Sequence, residues 1–250
     1  MAHLQATKRD FKQGSSKVKT LYTAIFGNYD DLKEPLKDSY VKGWKLVCFT
    51  DQEIQSKHWQ IVRMPVMNCG PAKTARYYKI MFHKHIQSEF SMWIDATFYI
   101  NTNLNEFWLN NFDAPFTTMK HPYDDCIYTD IKSCIRGGKD TEAILHNQKC
   151  LYQKLGIPTN NGLIASGILM RQRTPETVKL SSLWWDQVRS HSSRDQIAFG
   201  YVNWKMPGIA RFMPFNYTRD KQFIHLPHKH KPWREQKKIE ILKEYGSVEG

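Results

Sequence analysis

Four short apolar runs between residues 19 and 100 set the tightest limit on how this chain can fold. They are KTLYTAIFG, WKLVCFTD, WQIVRMPV and SMWIDATFYI, and each is rich in the β-branched and aromatic residues that are typical of strands. Between the third and fourth runs, GPAKTARYYKIMFHKHI begins with Gly-Pro and spaces its apolar residues as a helix does. Strands that alternate with helices predict an α/β domain whose central sheet is mostly parallel and is flanked by helices.

The second half of the chain continues with longer helical segments. The stretch from 121 to 156 begins irregularly and then turns helical, and GLIASGILMRQ predicts a strand. PETVKLSSLWWDQVRSH and RDQIAFGYVNWK predict helices, and REQKKIEILKEYG predicts a short charged helix near the C-terminus. We therefore divide the chain into a disordered basic lead (1–18), one domain (19–233) and a short charged C-terminal helix or tail (234–250).

Composition narrows the class of protein. Hydrophobic residues make up 41% and aromatic residues 13% of the 250 positions, which is enough to build a core. The chain has no apolar run of about 18 residues, the length that crosses a membrane, and its N-terminus lacks the apolar segment of a secretory signal. The five cysteines form no CxxC pair, which favours reduced thiols in a cytoplasm.

The net charge of +12 is informative about partners. It favours a polyanion, which could be a nucleic acid, an anionic membrane surface or a phosphorylated substrate. Solubility alone is the alternative explanation.

Two acidic residues stand where apolar runs end, Asp95 in MWIDAT and Asp51 in CFTD. Ligands of parallel sheets bind beyond the carboxyl ends of the strands, so the ends IFGNYDD, CFTD and IDAT should share one rim. An ionised carboxylate cannot stay unpaired in a core, so Asp95 should meet a cation, in a salt bridge or cap or as a ligand of a divalent metal. Asp51 could accept hydrogen bonds from a ribose or a base, or it could form a turn.

Basic residues repeat every three positions in AKTARYYK, at Lys73, Arg76 and Lys79. On a helix these side chains lie near one face. Such a face suits the charges of a pyrophosphate, although a solvated helix face has the same pattern.

A polar group, Arg194, Asp195 and Gln196, precedes an apolar run in HSSRDQIAF. Ser192 or Ser193 could cap the helix, with Asp195 in its first turn. Capping accounts for the acid but leaves the Arg-Asp-Gln group unexplained. The chain contains no P-loop, no dinucleotide-binding glycine fingerprint and no HExxH motif.

Taken in order, these segments resemble nucleotide-sugar-dependent glycosyltransferases of the GT-A fold, a single Rossmann-like domain. YTAIFGNYDDL, ARYYKIMFHKHI, WIDATFYI, HPYDDCIY and SSRDQIAFGYV are similar to the mucilage-related glycosyltransferase-like family of plants, bacteria and phages, over roughly residues 21–201. HLPHKHKPW resembles the closing motif of the glycogenin-like family, His-x-x-Gly-x-x-Lys-Pro-Trp.

The resemblance implies a Mn²⁺ or Mg²⁺ ion bound by Asp95 and His225. Most GT-A enzymes carry Asp-x-Asp where this chain has Asp-Ala-Thr, so Thr97 would take the second position. A site that lacks the second carboxylate binds a hard cation less strongly. His228 replaces the glycine of the closing motif, which makes His228 or His230 alternative ligands.

The resemblance also implies how the donor is held. The donor would be a nucleoside diphosphate sugar, with a UDP-sugar favoured. Arg194, Asp195 and Gln196 would form the catalytic group, with Asp195 near the anomeric carbon. Asn161, in TNNGLIASG, could hydrogen-bond sugar hydroxyls or form a turn. The residues expected to bind the donor are Tyr22, Thr23, Phe26, Tyr29, Asp51, Arg76, Lys79, Asn161 and Lys231.

The similarity to the closing motif suggests retention of the anomeric configuration. The charge suggests an anionic acceptor, and it favours hydroxymethylated pyrimidines of phage-type DNA over a lipid-linked surface glycan, which would bring peripheral membrane contact. The expected location is the cytoplasm, that of the host if a phage encodes the chain. A protein of another class stays open: a catalytically inactive nucleic-acid-binding protein on the GT-A fold, which the altered Asp-x-Asp would permit.

Overall fold

A seven-stranded sheet lies at the centre of the structure, a computed structural model that describes residues 18–246. The predicted basic lead, apart from Val18, lies outside the described residues, as do residues 247–250. The strands are β1 (Lys19–Ile25), β2 (Trp44–Thr50), β3 (Trp59–Arg63), β4 (Phe90–Ile94), β5 (Phe98–Ile100), β6 (Phe116–Lys120), β7 (Ile164–Gln172), β8 (Arg211–Met213) and β9 (Phe223–His225).

The order of the strands in the central sheet is β3-β2-β1-β4-β7-β6-β8. β7 lies antiparallel to β4 and β6, and the other neighbouring pairs are parallel. β5 and β9 form a separate antiparallel pair. The predicted α/β fold with a central, mostly parallel sheet is confirmed, and the arrangement is consistent with a GT-A domain.

Helices pack on both faces of this sheet. β1 is buried along its whole length, so its side chains contribute alternately to two cores: Leu21 joins a cluster with Phe107 of a helix on one face, and Tyr22 joins a cluster with Trp184 of a helix on the other. The helices are α1 (Gly70–Ile80), α2 (Leu104–Asn111), α3 (Ile127–Arg136), α4 (Glu142–Lys154), α5 (Pro175–Ser190), α6 (Asp195–Lys205) and α7 (Arg234–Tyr245), with short 3₁₀ helices at Asp38–Val41 and Phe82–Lys84.

The run SMWIDATFYI does not form the single strand that its apolar pattern predicts. The chain turns at Asp95, where the Phe98 amide donates to the Asp95 carbonyl at 3.1 Å. β4 therefore ends in the central sheet, and β5 continues in the small sheet paired with β9. The turn places the Asp95 side chain at the edge of the sheet.

Two further predictions need correction. The stretch from 121 to 156 contains two helices, α3 and α4, separated by a turn at Gly137 and Gly138. Neither Ser192 nor Ser193 caps α6, because Ser192 donates to Gln148 and Ser193 donates to Asp140. Asp195 does lie in the first turn of α6, as predicted.

The predicted C-terminal helix is present as α7 and packs against the small sheet. Ile241 shares an apolar cluster with Tyr99 of β5, Ile224 of β9 and Leu226. This contact places the segment just before α7 next to the carboxyl ends of β1 and β4. Within residues 18–246, no helix has both the length and the apolar character needed to span a bilayer.

Candidate active site

A cavity of about 420 Å³ opens at the carboxyl ends of β1 and β4, the edge at which such sheets bind ligands. We call it the main cavity. The loop after β1, the start of α1, the turn between β4 and β5, the start of β7 and the start of α6 form its walls. The residues singled out from the sequence that line it are Phe26, Tyr29, Arg76, Asp95, Thr97, Arg194, Asp195, Gln196, His225 and His228.

A group of buried ion pairs closes one side of the main cavity. Asp195 Oδ2 lies 2.7 Å from Lys79 Nζ and accepts a hydrogen bond of 2.8 Å from Ser166 Oγ. Asp195 Oδ1 lies 3.1 Å from Arg76 Nε. Lys79 Nζ also lies 3.2 Å from Asp95 Oδ1, so one lysine connects two carboxylates. We call these five residues the ion cluster.

The surroundings of Asp195 keep its carboxylate ionised. Burial by itself would raise the pKa of Asp195. The charges of Arg76 and Lys79, the hydrogen bond from Lys79 and the charge of Arg194 outweigh burial and hold that pKa well below its usual range. A carboxylate that stays charged suits the placement of positive charge and does not suit proton donation.

Asp95 meets the cation that its position in the sequence predicts, and the cation is Lys79. Its Oδ1 accepts hydrogen bonds from Trp93 Nε1 at 2.7 Å and from Lys79 Nζ at 3.2 Å. Within the described residues, no hydrogen bond reaches Oδ2, and the side chain lines the main cavity. This oxygen is therefore available to a ligand.

Lys79, which the sequence predicts to contact a phosphate, is directed towards two carboxylates instead. The Lys79 side chain is 1% exposed and is not part of the cavity wall. Turning its ammonium towards a phosphate would leave Asp95 and Asp195 poorly compensated, at a cost of several kcal/mol. Arg76 differs, because it pairs with Asp195 and still lines the cavity.

Tyr22 and Thr23, which are also predicted to bind the donor, lie buried in β1. The Tyr22 hydroxyl donates to the Lys79 carbonyl at 3.0 Å and contacts the buried guanidinium of Arg171. Thr23 is buried, and neither residue is part of the cavity wall. The residues of β1 that line the cavity are Ala24 and Ile25, which lie nearer its carboxyl end.

Asp51 acts on the cavity through the backbone. Both of its carboxylate oxygens accept the Gly27 amide at 3.1 Å, and Asp51 does not line the cavity. Gly27 has a positive φ of 67°, and a Cβ on it would lie 2.8 Å from the Cβ of Pro71. The backbone conformation and the contact with Pro71 therefore require glycine at position 27, and the hydrogen bonds to Asp51 hold this turn in place.

Asn161 and Lys231 lie outside the main cavity. The Asn161 amide nitrogen donates to the Gly200 carbonyl at 2.9 Å, and Asn203 donates to the Asn161 carbonyl. Asn161 therefore joins the loop before β7 to α6, as a turn residue does. Lys231 is exposed and does not line the cavity.

Residues 226–234, which we call the closing segment, lie over the rim of the sheet. The Leu226 amide donates to the Thr97 carbonyl at 2.7 Å, directly after the pairing of His225 with Phe98. The end of β9 brings His225, and the closing segment brings His228, into the wall of the main cavity.

Ion pairs fasten the closing segment to the loop after β1. His228 Nδ1 lies 2.7 Å from Asp30 Oδ2. Asp31 binds Lys229 at 3.1 Å and Arg234 at 2.7 Å. This histidine-rich stretch therefore forms part of the wall of the main cavity.

Few side chains of the main cavity could act as ligands of a metal ion. Asp95, Thr97 and His225 line the same cavity, but the described residues contain no group of three His, Cys, Asp or Glu that could hold a metal ion. Burial, followed by the charge of His228, lowers the pKa of His225, which favours the neutral form that binds metals. These residues fit a cation that takes its other ligands from a bound phosphate group and water, as Mg²⁺ often does.

Several residues of the cavity wall were not predicted from the sequence, and three of them are polar or small residues close to the ion cluster or the start of α6. Lys139 lines the cavity from the turn between α3 and α4, and Ser166 and Gly167 line it from β7. A Cβ on Gly167 would lie 2.8 Å from a ring carbon of Phe98, so the small residues of GLIASG make room for the β5 turn. The nearby Asp140 accepts two hydrogen bonds from Ser193, which draws the turn that carries Lys139 to the start of α6.

Comparison with known proteins identifies the family. The model of the TOD1/MUCI70, glycosyltransferase-like domain matches residues 50–230. The chain belongs to this family. It is 24% identical over 217 residues to the Arabidopsis thaliana protein named "Probable hexosyltransferase MUCI70". The alignment covers 74% of the chain and 37% of the plant protein, so the chain spans little more than a third of that relative.

The TOD1/MUCI70 match includes most of the site. The matched range contains every residue of the ion cluster and also His225. The loop after β1, with Asp30 and Asp31, precedes the match, and Lys231 follows it. The mucilage-related, glycosyltransferase-like resemblance inferred from the sequence is confirmed.

Proposed function

We propose that the main cavity binds a nucleoside diphosphate sugar, such as a UDP-sugar, and transfers its sugar to an acceptor hydroxyl. The observation that carries this proposal is the pair of carboxylates, Asp95 and Asp195, joined by Lys79 at the ligand-binding edge of a sheet in a TOD1/MUCI70 domain. In the transfer, the acceptor oxygen bonds to the anomeric carbon. The bond from that carbon to the diphosphate breaks, its electron pair leaves with the diphosphate, and the hydroxyl proton passes to the diphosphate or to solvent.

The cavity has charges for both ends of this reaction. Arg76, Lys139 and Arg194 line it and would stabilise the negative charge that develops on the leaving diphosphate. Asp195, held ionised, would favour the positive charge that develops at the anomeric carbon. Ser166, Arg76 and Lys79 already bind the two oxygens of Asp195. Asp195 would therefore position the sugar and stabilise positive charge, and it would not attack the anomeric carbon.

A divalent cation belongs to this proposal. Asp95 and His225 would hold a Mn²⁺ or Mg²⁺ ion, with Thr97 beside them, and the ion would neutralise charge on the diphosphate. Retention of configuration and a cytoplasmic location, which the cysteines favour, are also parts of the proposal. All five cysteines are free thiols.

Titration calorimetry of the full chain with UDP, with and without Mn²⁺, tests the proposal directly. We expect UDP to bind, and to bind more tightly with Mn²⁺. Absence of UDP binding under both conditions would overturn the donor assignment. Mass spectrometry of products from a panel of nucleotide sugars would then identify the sugar, and the anomeric proton coupling of the product would distinguish retention from inversion.

The second candidate is a nucleic-acid-binding protein without transfer activity. The net charge of +12 and the exposed cations at positions 229 and 231 favour it. The same features support DNA as an acceptor of the enzyme. Binding of hydroxymethylated duplex DNA and of anionic vesicles between about 50 and 200 mM salt separates the cases, because affinity for DNA should fall with a log-log slope of about −0.9 per phosphate contacted. Salt-sensitive binding to vesicles alone would instead favour a lipid-linked glycan.

A further inference from the structure

A second cavity of about 460 Å³ lies at the carboxyl ends of β6 and β8. One wall is the segment 120–125 at the end of β6, which is mostly polar, and the other is the segment 213–219 at the end of β8, which mixes apolar and polar residues. We call it the side cleft. Neither the ion cluster nor the proposed donor chemistry uses it.

The side cleft adjoins the main cavity. Met119 lines the main cavity and the next residue, Lys120, lines the side cleft. In the same way Asn216 lines the side cleft and Tyr217 lines the main cavity. Two consecutive pairs of residues therefore form a shared wall.

The order of the strands shows which end of the main cavity the side cleft adjoins. Moving from β1 through β4 to β7, the main cavity passes from the β1 loop to Asp95 and then to Ser166 and Asp195. β6 and β8, which carry the side cleft, come next in the sheet. The cleft therefore lies beyond the end of the cavity that holds Asp195, the residue assigned to the sugar.

The side cleft offers hydrogen-bonding groups of both kinds. The Asp124 amide donates to His121 Nδ1 at 3.1 Å, so the ring proton of a neutral His121 is on Nε2, which can donate. Asp124 is occupied, since it accepts the amides that lead into α3. Among the described residues, no hydrogen bond reaches the Asp125 carboxylate, so its oxygens can accept.

Tyr123 adds an apolar surface at the mouth of the side cleft. Its side chain is 80% exposed, which is unusual for an aromatic residue, and its ring lies 6.1 Å from that of His121. The cleft also balances its charges, because Lys120 and Arg219 face Asp124 and Asp125. A polyanion would meet two carboxylates there, whereas a hydroxyl-rich neutral ring would not be repelled.

We propose that the side cleft binds the acceptor as a sugar unit of an oligosaccharide. The sugar ring would stack its apolar face on Tyr123, and its hydroxyls would donate to Asp125 and accept from His121. This inference rests on the proposed function, because it places the acceptor hydroxyl beside a donor sugar held near Asp195. It assigns the cleft a hydroxyl-rich glycan, and it makes DNA a competing outcome.

Binding of neutral hexose tetrasaccharides to the full chain tests the assignment. The probes have gluco, manno and galacto configuration, and saturation-transfer NMR with and without UDP follows their binding. We expect at least one probe to bind, and Tyr123→Ala and Asp125→Asn each to weaken it roughly tenfold, as expected for a lost contact to a charged or aromatic group. Asp113→Asn, which removes an exposed carboxylate outside both cavities, should leave probe affinity unchanged.

Each outcome of this experiment is decisive. If no probe binds, or if the two cleft variants bind the probes as tightly as the unaltered chain, the assignment is wrong. If the cleft variants instead bind hydroxymethylated duplex DNA more weakly than the unaltered chain does, the cleft binds nucleic acid. UDP affinity is measured on the same samples, so its absence would overturn the donor proposal while oligosaccharide binding still supported the cleft.

Discussion

The ion cluster and the closing segment both border the main cavity with paired charges, yet they differ in burial. In the ion cluster, the side chains of Lys79 and Asp195 are 1% and 2% exposed. In the closing segment, those of Lys229 and Asp31 are 43% and 41% exposed. Water competes weakly for the first pair and strongly for the second.

This difference assigns the two regions different tasks. A buried ion pair requires full compensation, so the ion cluster fixes where Asp95 and Asp195 lie. An exposed pair contributes about 0–1 kcal/mol, so Lys229 of the closing segment can exchange a carboxylate for the phosphate of a ligand. The buried ion cluster thus fixes the positions of the carboxylates, and the exposed pair supplies a cation that can change partners.

Lys79→Met should give the largest effect, because it removes the cation shared by two carboxylates. We expect the free energy of unfolding to fall by about 3–5 kcal/mol, the usual cost of breaking a buried pair. Urea denaturation followed by circular dichroism measures it. Adding Asp195→Asn to Lys79→Met should recover part of the loss, because it removes a buried charge that has lost one of its two cationic partners.

Lys73→Met is the matched control on the same helix. Lys73 Nζ donates to the carbonyls of Arg189 and His191 at 3.0 and 2.8 Å, and within residues 18–246 it forms no salt bridge with a buried carboxylate. Its removal should cost about 1 kcal/mol, the value of an ordinary hydrogen bond. Equal losses for the two lysines would contradict the contrast between buried and exposed charges.

Asp95→Ala should separate stability from activity. Lys79 keeps Asp195 as its partner in this variant, so we expect the unfolding free energy to change much less than in Lys79→Met. Sugar transfer should fall roughly a hundredfold or more, as when a preorganised charge is removed from a transition state. Calorimetry should also show weaker Mn²⁺-dependent UDP binding. Near-normal turnover with lowered stability would instead make Asp95 a structural partner of Lys79.

The fold could be predicted from the sequence where one physical pattern dominates. Strands buried on both faces read as continuous apolar runs, which identified β1, β2 and β4. The same pattern hid the turn at Asp95, because the residues on either side of it, in β4 and β5, are equally apolar. Helix α2 was missed although Asn103 caps it with two hydrogen bonds, since its short sequence has little periodicity.

The candidate site was predicted less well, because charge pairing depends on contacts between distant residues. The sequence identified Asp95, Arg76, Lys79 and Asp195 as functional, but it assigned Lys79 to phosphate. The partner that captures Lys79 is Asp195, 116 residues away, and no local pattern indicates that contact. Tyr22 is buried and lies outside the cavity wall, because a strand pattern does not show which of its residues reach a cavity.

Lys33 provides a case between the two regions, a buried lysine whose Nζ donates to the carbonyls of Asp31 and Ala96. Burial lowers its pKa from 10.5 to about 8. Between these values the unfolded chain binds the proton and the folded chain does not, so the stability from Lys33 rises with pH and is lost as pH falls through 8. The unfolding free energy of the unaltered chain, minus that of Lys33→Met, should therefore increase from pH 7 to pH 9.5. The exposed control is Lys45→Met, for which we expect the same difference at both pH values. A difference for Lys33→Met that does not change with pH would contradict the prediction.

Lys231→Ala should give the smallest effect on stability and so marks the exposed end of the comparison. Its side chain is exposed, and in the described residues no salt bridge or side-chain hydrogen bond of Lys231 is found. Unfolding free energy should therefore change by less than about 0.5 kcal/mol, as for most surface substitutions. UDP affinity should still fall, by roughly threefold to tenfold, if the closing segment brings this ammonium to the diphosphate as its resemblance to the glycogenin-like motif implies. UMP, which lacks the second phosphate, should show a smaller change. Equal UDP affinities for the variant and the unaltered chain would remove Lys231 from the donor site and leave Arg76, Lys139 and Arg194 as its cations.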